Sequence, residues 1–404
     1  MASEAQPHTT VSDTAREHAR RLEIFAARLF SGLAPDLAAR LSAEQRAQLS
    51  TDALDFFSLR AEPIKVRVVI APQNDGAGGF AETVMEDCPF IIDSTLEYFH
   101  HLGVGAGLLV HPVLLAARDA AGRLISLEGM RSTERPESFV HLELRLDGGA
   151  HDPERIAAGL KGVLEQVRSV TGDFEAMTAR ALEICEETAA QRELVEVRDL
   201  LRWLVGGGFV FLGYRRYRVA EDGGRRTLEV DLDSPNSALG LLRDFSRSRY
   251  ARPVDLKALK PDHQKMLFEG APLIMGKTHT MSQVHRRGLM DDVTIRRTGA
   301  GGRVVGFERF VGLLEQLGGG FRVGNPGLRS AADAKSVEQS VHASLLPHLC
   351  SSASAVSLAV QPSDLASLSD ARRSNVPITH RRSLVRRFRR TNSETRGGIT
   401  TCRI

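Results

Sequence analysis

"AETVMEDCPFIIDSTLEYFHHLGVGAGLLVHPVLLAARD", residues 81–119, decides how the chain is read. Its pattern is strand, helix, glycine turn, strand. The GVGAG run, Gly103 to Gly107, is either a loop that cradles phosphate or the hinge of a small module without chemistry of its own. A dinucleotide loop must follow a strand and open a helix, so that helix-terminal N–H groups face the pyrophosphate. Here the glycines follow a helix and open a strand, and their spacing is G-x-G-x-G rather than G-x-G-x-x-G. A structural turn is therefore predicted, with Gly103 as a left-handed helix cap. Asp87 is expected to cap the helix start. Pro89 is expected in its first turn, where a missing N–H would be unpaired anyway.

The neighbouring segments extend this unit. "IKVRVVIA", 64–71, is a β-branched, alternating strand, and "PQNDGAGGF", 72–80, reads as loop. "AGLLVHPVLLAARD" reads as one strand, with Pro112 at an edge or bulge. "SFVHLELRL", 138–146, is another strand, and 152–170 is an amphipathic helix through Ile156, Leu160, Val163, Leu164 and Val167. The order is β-α-β-β-α with one extra strand before it. Upstream, residues 13–60 are helical, and Ser42 with Gln45 forms a capping-box pattern. Downstream, 173–205 reads as a long helical connector. A strand-rich stretch follows from "GFVFLGYRRYRVA" to "RVVGFERFVGLL", with short helices around 237–243 and 254–267. The expected division is N-terminal helices at 1–62, an α+β module at 63–172, the connector, a second α+β module at 206–315, and a disordered tail at 316–404.

The chain has 404 residues, 42% of them apolar, which suits two or three domains. No run of about 18 apolar residues occurs, and no apolar stretch follows a basic start, so neither a membrane span nor secretion is expected. Cys88, Cys185, Cys350 and Cys402 lie far apart and read as reduced thiols of a cytoplasmic protein. The net charge of +3 hides a tail, 371–404, with ten Arg, no Lys and one acid; subtracting its +9 leaves the body at −6. Such a tail can contact phosphates, but Phe388 is its one aromatic residue, so stacking is minimal and nucleic acid is not the expected partner. Its composition also suits translation in a shifted frame.

Other motifs fail on physical grounds. "APLIMGKT", 271–278, fits a loose P-loop pattern, but Pro272 to Met275 is a bulky apolar run suited to a buried strand. The histidines form no cluster, and neither H-E-x-x-H nor G-x-S-x-G is present. No catalytic, cofactor-binding or metal-binding residue is expected in this chain.

Four blocks in order resemble the N-terminal region of the large bacterial NAD-dependent glutamate dehydrogenases. They are "FAARLFSGLAPDLAARLSAEQ", "DCPFIIDSTLEYFHHLGVGAGLLVHPVLLAARDAAGRL", "FVFLGYRRYRV" and "TMSQVHRRGLMDDVTIRRTGAGGRVVGFERFVGLL". The resemblance implies an ACT-type module (β-α-β-β-α-β) at 63–172, its last strand supplied by Val66 to Ile70 or by another chain, and a PAS-like module at 206–315. "EDCPF" resembles the D-x-P-G turn of ACT modules. The implied amino-acid effector site comprises Asp87, Pro89 and Phe90 with Gly103 and Gly105; Phe90 stands where that turn carries glycine.

The complete enzymes oxidise L-glutamate to 2-oxoglutarate and ammonia with NAD. NAD belongs to that full-length enzyme, and no cofactor is expected in this chain. The lysines that bind glutamate and the nucleotide-binding segment have no counterpart, and the resemblance ends near Leu314. The expected function is the regulatory and assembly portion of such an enzyme, inactive alone. Its expected partners are the rest of the dehydrogenase and, through ACT-like edges, itself. The alternative is a stand-alone amino-acid-binding or scaffolding protein. The chain is read as a fragment, a truncated or frameshifted product, or a free regulator.

Overall fold

The computed structural model describes residues 9–73, 76–129, 132–146, 151–315 and 357–359. Among them the fold is α+β, with eight α-helices and two antiparallel sheets. The expected tail at 316–404 lies outside the described residues, apart from a strand at Ser357–Ala359. Helices α1 (Thr9–Phe30), α2 (Pro35–Ala38) and α3 (Ala43–Phe57) open the chain. Ser42 and Gln45 form the expected reciprocal capping box at the start of α3, with bonds of 3.1 and 2.8 Å.

The first sheet contains β1 (Ile64–Gln73), β2 (Gly76–Glu86), β3 (Gly105–Val110), β4 (Val113–Arg118), β5 (Leu124–Leu127) and β6 (Arg135–Leu146). Its order is β1-β2-β6-β4-β5, with β3 also paired to β6. One expectation is corrected here, a second is refined, and one strand had not been expected. The described residues of 72–80 are strand and not loop: β1 runs to Gln73 and pairs with β2, which starts at Gly76. A Cβ on Gly79 would lie 2.0 Å from the Val69 carbonyl oxygen, so this strand glycine permits a close backbone approach. The segment 106–119 forms two strands, β3 and β4, interrupted at His111 and Pro112, where Pro112 has no N–H to donate. Both keep one register along β6, and the Pro112 carbonyl still accepts from the Phe139 N–H at 3.1 Å, as the expected edge or bulge position allows. The strand that had not been expected is β5. Its Leu124 and Ile125 carbonyls accept from Arg21 of α1 at 3.1 and 2.7 Å, which closes that sheet edge.

Period-two alternation gives the sheet two faces. One carries Val84, Leu114 and Phe139 against Phe25 of α1 and Phe57 of α3. A polar row crosses the same face: Arg67 pairs with Glu82, and Glu82 Oε1 lies 2.9 Å from His141 Nδ1. The other face carries Ala81, Met85, Val140, Leu142 and Leu144. It is covered by α4 (Ile91–His101) and α5 (Pro153–Gly172) through Ile91, Phe99, Leu160, Leu164 and Val167.

The connector is two helices rather than one: α6 (Phe174–Glu187) and α7 (Val195–Trp203), separated at 188–194. The second sheet contains β7 (Phe209–Asp222), β8 (Arg225–Val230), β9 (Ala238–Gly240), β10 (Val254–Asp255), β11 (Leu273–Met281), β12 (Leu289–Thr298), β13 (Val304–Leu314) and β14 (Ser357–Ala359), with α8 (Pro261–Phe268) after β10. Its order is β10-β8-β7-β13-β12-β11-β14, with β9 on β7. The short helix expected near 237–243 is instead β9 and a single 3-10 turn.

Glu308, fully buried in β13, accepts two bonds from Arg180 of α6, at 2.8 and 3.0 Å. Tyr214 donates to the same carboxylate, and Arg297 lies 3.4 Å away. Removing one member of a buried ion cluster leaves the others uncompensated, at a cost of roughly 3–5 kcal/mol. Glu308→Gln is therefore expected to lower unfolding stability by about that much in a denaturant titration. A loss below about 1 kcal/mol would mean that Arg180 and Arg297 are solvated without it.

Candidate functional site

The two ends of α4 hold all the residues that the sequence singled out. At the C-terminal end, Gly103 has φ 71°. Its N–H donates to the His100 carbonyl, and the Val104 N–H donates to the Phe99 carbonyl, each at 3.0 Å. This is a Schellman closure. The amides that a phosphate would need are occupied by the helix, and Gly105 starts β3. The second suspect segment agrees with its reading too: Gly276 pairs with Asp292 inside a strand, and Lys277 Nζ lies 2.5 Å from Asp291.

The N-terminal end departs from expectation. Asp87 does not cap α4; its N–H bonds the Pro136 carbonyl at 2.9 Å. Phe90 is the N-cap residue, with no side-chain cap, and Pro89 precedes it outside the helix. Burial pushes the Asp87 carboxyl up, an effect that His111 partly opposes. Burial also pushes the Cys88 thiol up, so a reactive thiolate is disfavoured. Phe90 itself sits at φ 73°, ψ 3°, the left-handed region.

The Phe90 ring packs against His285, with centroids 4.9 Å apart. His285 belongs to the loop 282–288 between β11 and β12, and its φ is also positive, at 66°. Two non-glycine residues in left-handed conformations thus meet across the junction of the two sheets. Such conformations cost roughly 1–3 kcal/mol each and persist only where surrounding contacts over-determine them. Those contacts are present. The His285 N–H donates to Ser94 Oγ at 2.9 Å, and its Nδ1 lies 3.1 Å from Asp93 Oδ2. Its Nε2 lies 3.5 Å from Glu315 Oε1. Beside it, Val284 is fully buried with Met290 and Leu313 in the same cluster as Ile91 and Phe99. The core therefore runs continuously from one sheet to the other.

Of the expected effector residues Phe90 touches this junction, Asp87 lies against Pro136 and near His111, and Gly103 and Gly105 lie about 16 Å from Phe90 along α4, the rise of its eleven residues. The sequence reading missed Asp93, Ser94, His285 and Glu315. Roughly 190 residues separate the two halves, so no local period could have paired them.

A second cluster joins His111 Nε2 to Ser138 Oγ at 2.7 Å, near Asp87. Ser138 is 0% exposed, so the arrangement gives no accessible nucleophile. His111 also lines a cleft of about 350 Å³ with Leu29, Leu33 and Pro112. The cleft's guanidinium, on Arg28, is already paired with Glu128 at 2.9 Å. Among the described residues no group of three or more His, Cys, Asp or Glu could hold a metal ion, and no helix is long and apolar enough to cross a membrane.

The left-handed turn makes a specific expectation. Phe90→Ala keeps the backbone strain and loses the ring; Phe90→Gly loses the ring and relieves the strain. Glycine is therefore expected to be the more stable variant by about 1 kcal/mol in equilibrium unfolding. Alanine equal to or better than glycine would contradict the conformation.

Residues 25–160 match the family model described as glutamate dehydrogenase, ACT1 domain. The matched span takes in the end of α1, α3, the whole first sheet with α4, and part of α5. The chain is 32% identical over 248 residues to the NAD-specific glutamate dehydrogenase of Halomonas elongata, covering 58% of this chain and 15% of that protein. It is 31% identical over 244 residues to the Pseudomonas aeruginosa enzyme of the same description, with the same coverage. The Mycobacterium tuberculosis enzyme is 30% identical over 207 residues, 48% of this chain and 12% of that protein. The chain therefore matches about 15% or less of the length of these relatives.

Proposed function

We propose that this chain, which carries the ACT1 domain of the glutamate dehydrogenases and is related to the large NAD-specific enzymes, is their N-terminal regulatory and assembly portion. The observation that carries this reading is the ACT1 match, in a chain that corresponds to so small a share of its relatives. In this reading the complete enzyme converts L-glutamate and NAD to 2-oxoglutarate and ammonia, and the catalytic core and NAD site belong to the remainder of the polypeptide. The second sheet unit, 206–315, acts as a PAS-like module. The protein works in the cytoplasm and associates with the rest of the dehydrogenase and, through sheet edges, with further copies.

The division into helices at 1–62, an ACT-like module at 63–172, a connector at 173–205, the second module and a tail is part of the same proposal. An amino-acid effector would act at Asp87, Pro89 and Phe90, with Gly103 and Gly105 at the far end of α4. To reach the backbone at Phe90 it must displace the ring from His285. Binding there would couple to the relative placement of the two sheets, which is how a ligand with unequal affinity for two states regulates.

Purified chain supplied with glutamate and NAD is expected to form no NADH, and to co-purify with a separately expressed remainder of the dehydrogenase. Robust turnover by the chain alone would overturn the reading. Failure to associate would favour a stand-alone scaffolding protein.

A further inference from the structure

We propose that His285 is a pH-sensitive latch between the two sheets, closed when its imidazole is protonated. The argument starts from donor arithmetic. His285 faces a carboxylate at each ring nitrogen: Asp93 of α4 at 3.1 Å from Nδ1, and Glu315, just beyond β13, at 3.5 Å from Nε2. A neutral imidazole carries one N–H and can serve only one of them, whereas the imidazolium serves both. The charged groups facing the ring are Asp93 from the first sheet's helix, Glu315 from the second sheet, and Arg286 from its own loop. Arg286 lies 3.6 Å from the same Glu315 oxygen and donates to the Leu314 carbonyl at 2.7 Å. Glu315 therefore keeps a cation when the imidazole loses its proton. Of the two ties made by the ring, the one that spans the junction is the one to Asp93. Deprotonation turns it from a charge-assisted bond into an ordinary one, or surrenders it to Glu315.

The electrostatics agree with the geometry. Glu315 raises the imidazole's proton affinity, burial opposes this, and Asp93 adds to the rise. In return His285 holds the Glu315 carboxyl below its usual range. A group whose folded pKa is raised stabilises the closed form fully below its unfolded value, about 6.5 for histidine, and loses that contribution as pH climbs through the folded value. The latch is thus tight in mild acid and loosens on the alkaline side. Two strained backbones, Phe90 and His285, lie on the two halves of this contact, so loosening has conformational energy to release. This inference rests on the junction alone and is independent of the dehydrogenase reading.

Hydrogen exchange of the full chain reads the latch directly, because the His285 amide is bonded to Ser94 Oγ across the junction. After correction for the intrinsic pH dependence of exchange, protection of the 282–288 peptide is expected to fall several-fold between about pH 6 and about pH 8.5. His285→Asn tolerates a positive φ and cannot titrate, and is expected to abolish that fall. Asp93→Asn is expected to bring protection at the lower pH down to the level of the unsubstituted chain at the higher pH. Equal corrected protection at both pH values in the unsubstituted chain, or an undiminished fall in either variant, would overturn the proposal.

Discussion

The left-handed backbone at Phe90 is the constraint on which the rest of the structure depends. It turns the chain from β2 into α4, and so sets the face on which α4 covers the sheet. A phenylalanine there is strained by about 1–2 kcal/mol relative to glycine, and something outside the turn must hold it. The holder is a loop of the second sheet, itself strained at His285 and fixed to α4 through Ser94 and Asp93. Local strain and long-range packing therefore coincide: the strained turn is held where the two sheets meet over a shared apolar core, and the Phe90 ring is one of the contacts there.

What was legible in the sequence was whatever local chemistry decides. Gly103 after an apolar helix face leads to one kind of cap, and the Schellman bonds are its realisation. Ser42 and Gln45 announced their capping box in the same way. The long strands β6, β7, β12 and β13 were readable from their β-branched, aromatic and other apolar residues, most of which are buried. The resemblance to glutamate dehydrogenases was readable too, and the ACT1 match bears it out.

Illegible features were decided by partners distant in sequence. Glycines at 78 and 79 signal a turn locally, yet they lie in β2, where the backbone of β1 comes too close for a side chain at Gly79. His111 and Pro112 interrupt the strand as an edge or bulge proline does, with the register along β6 kept on both sides. Asp87 has the chemistry of a cap and sits three residues too early, because Phe90 takes the cap position. The His285 contacts had no local sign at all. The glycine position in the D-x-P-G resemblance was the one available hint, since it implies a positive φ at Phe90.

The central claim is that Phe90 and His285 hold the two sheets together as an interacting pair, and a double-mutant cycle tests it most directly. Phe90→Leu, His285→Asn and the double variant would be unfolded at equilibrium in parallel. The account expects a coupling of about 0.5–1.5 kcal/mol, the range of aromatic pairs in contact. Additivity within about 0.3 kcal/mol would show that the two residues act independently, and would contradict it.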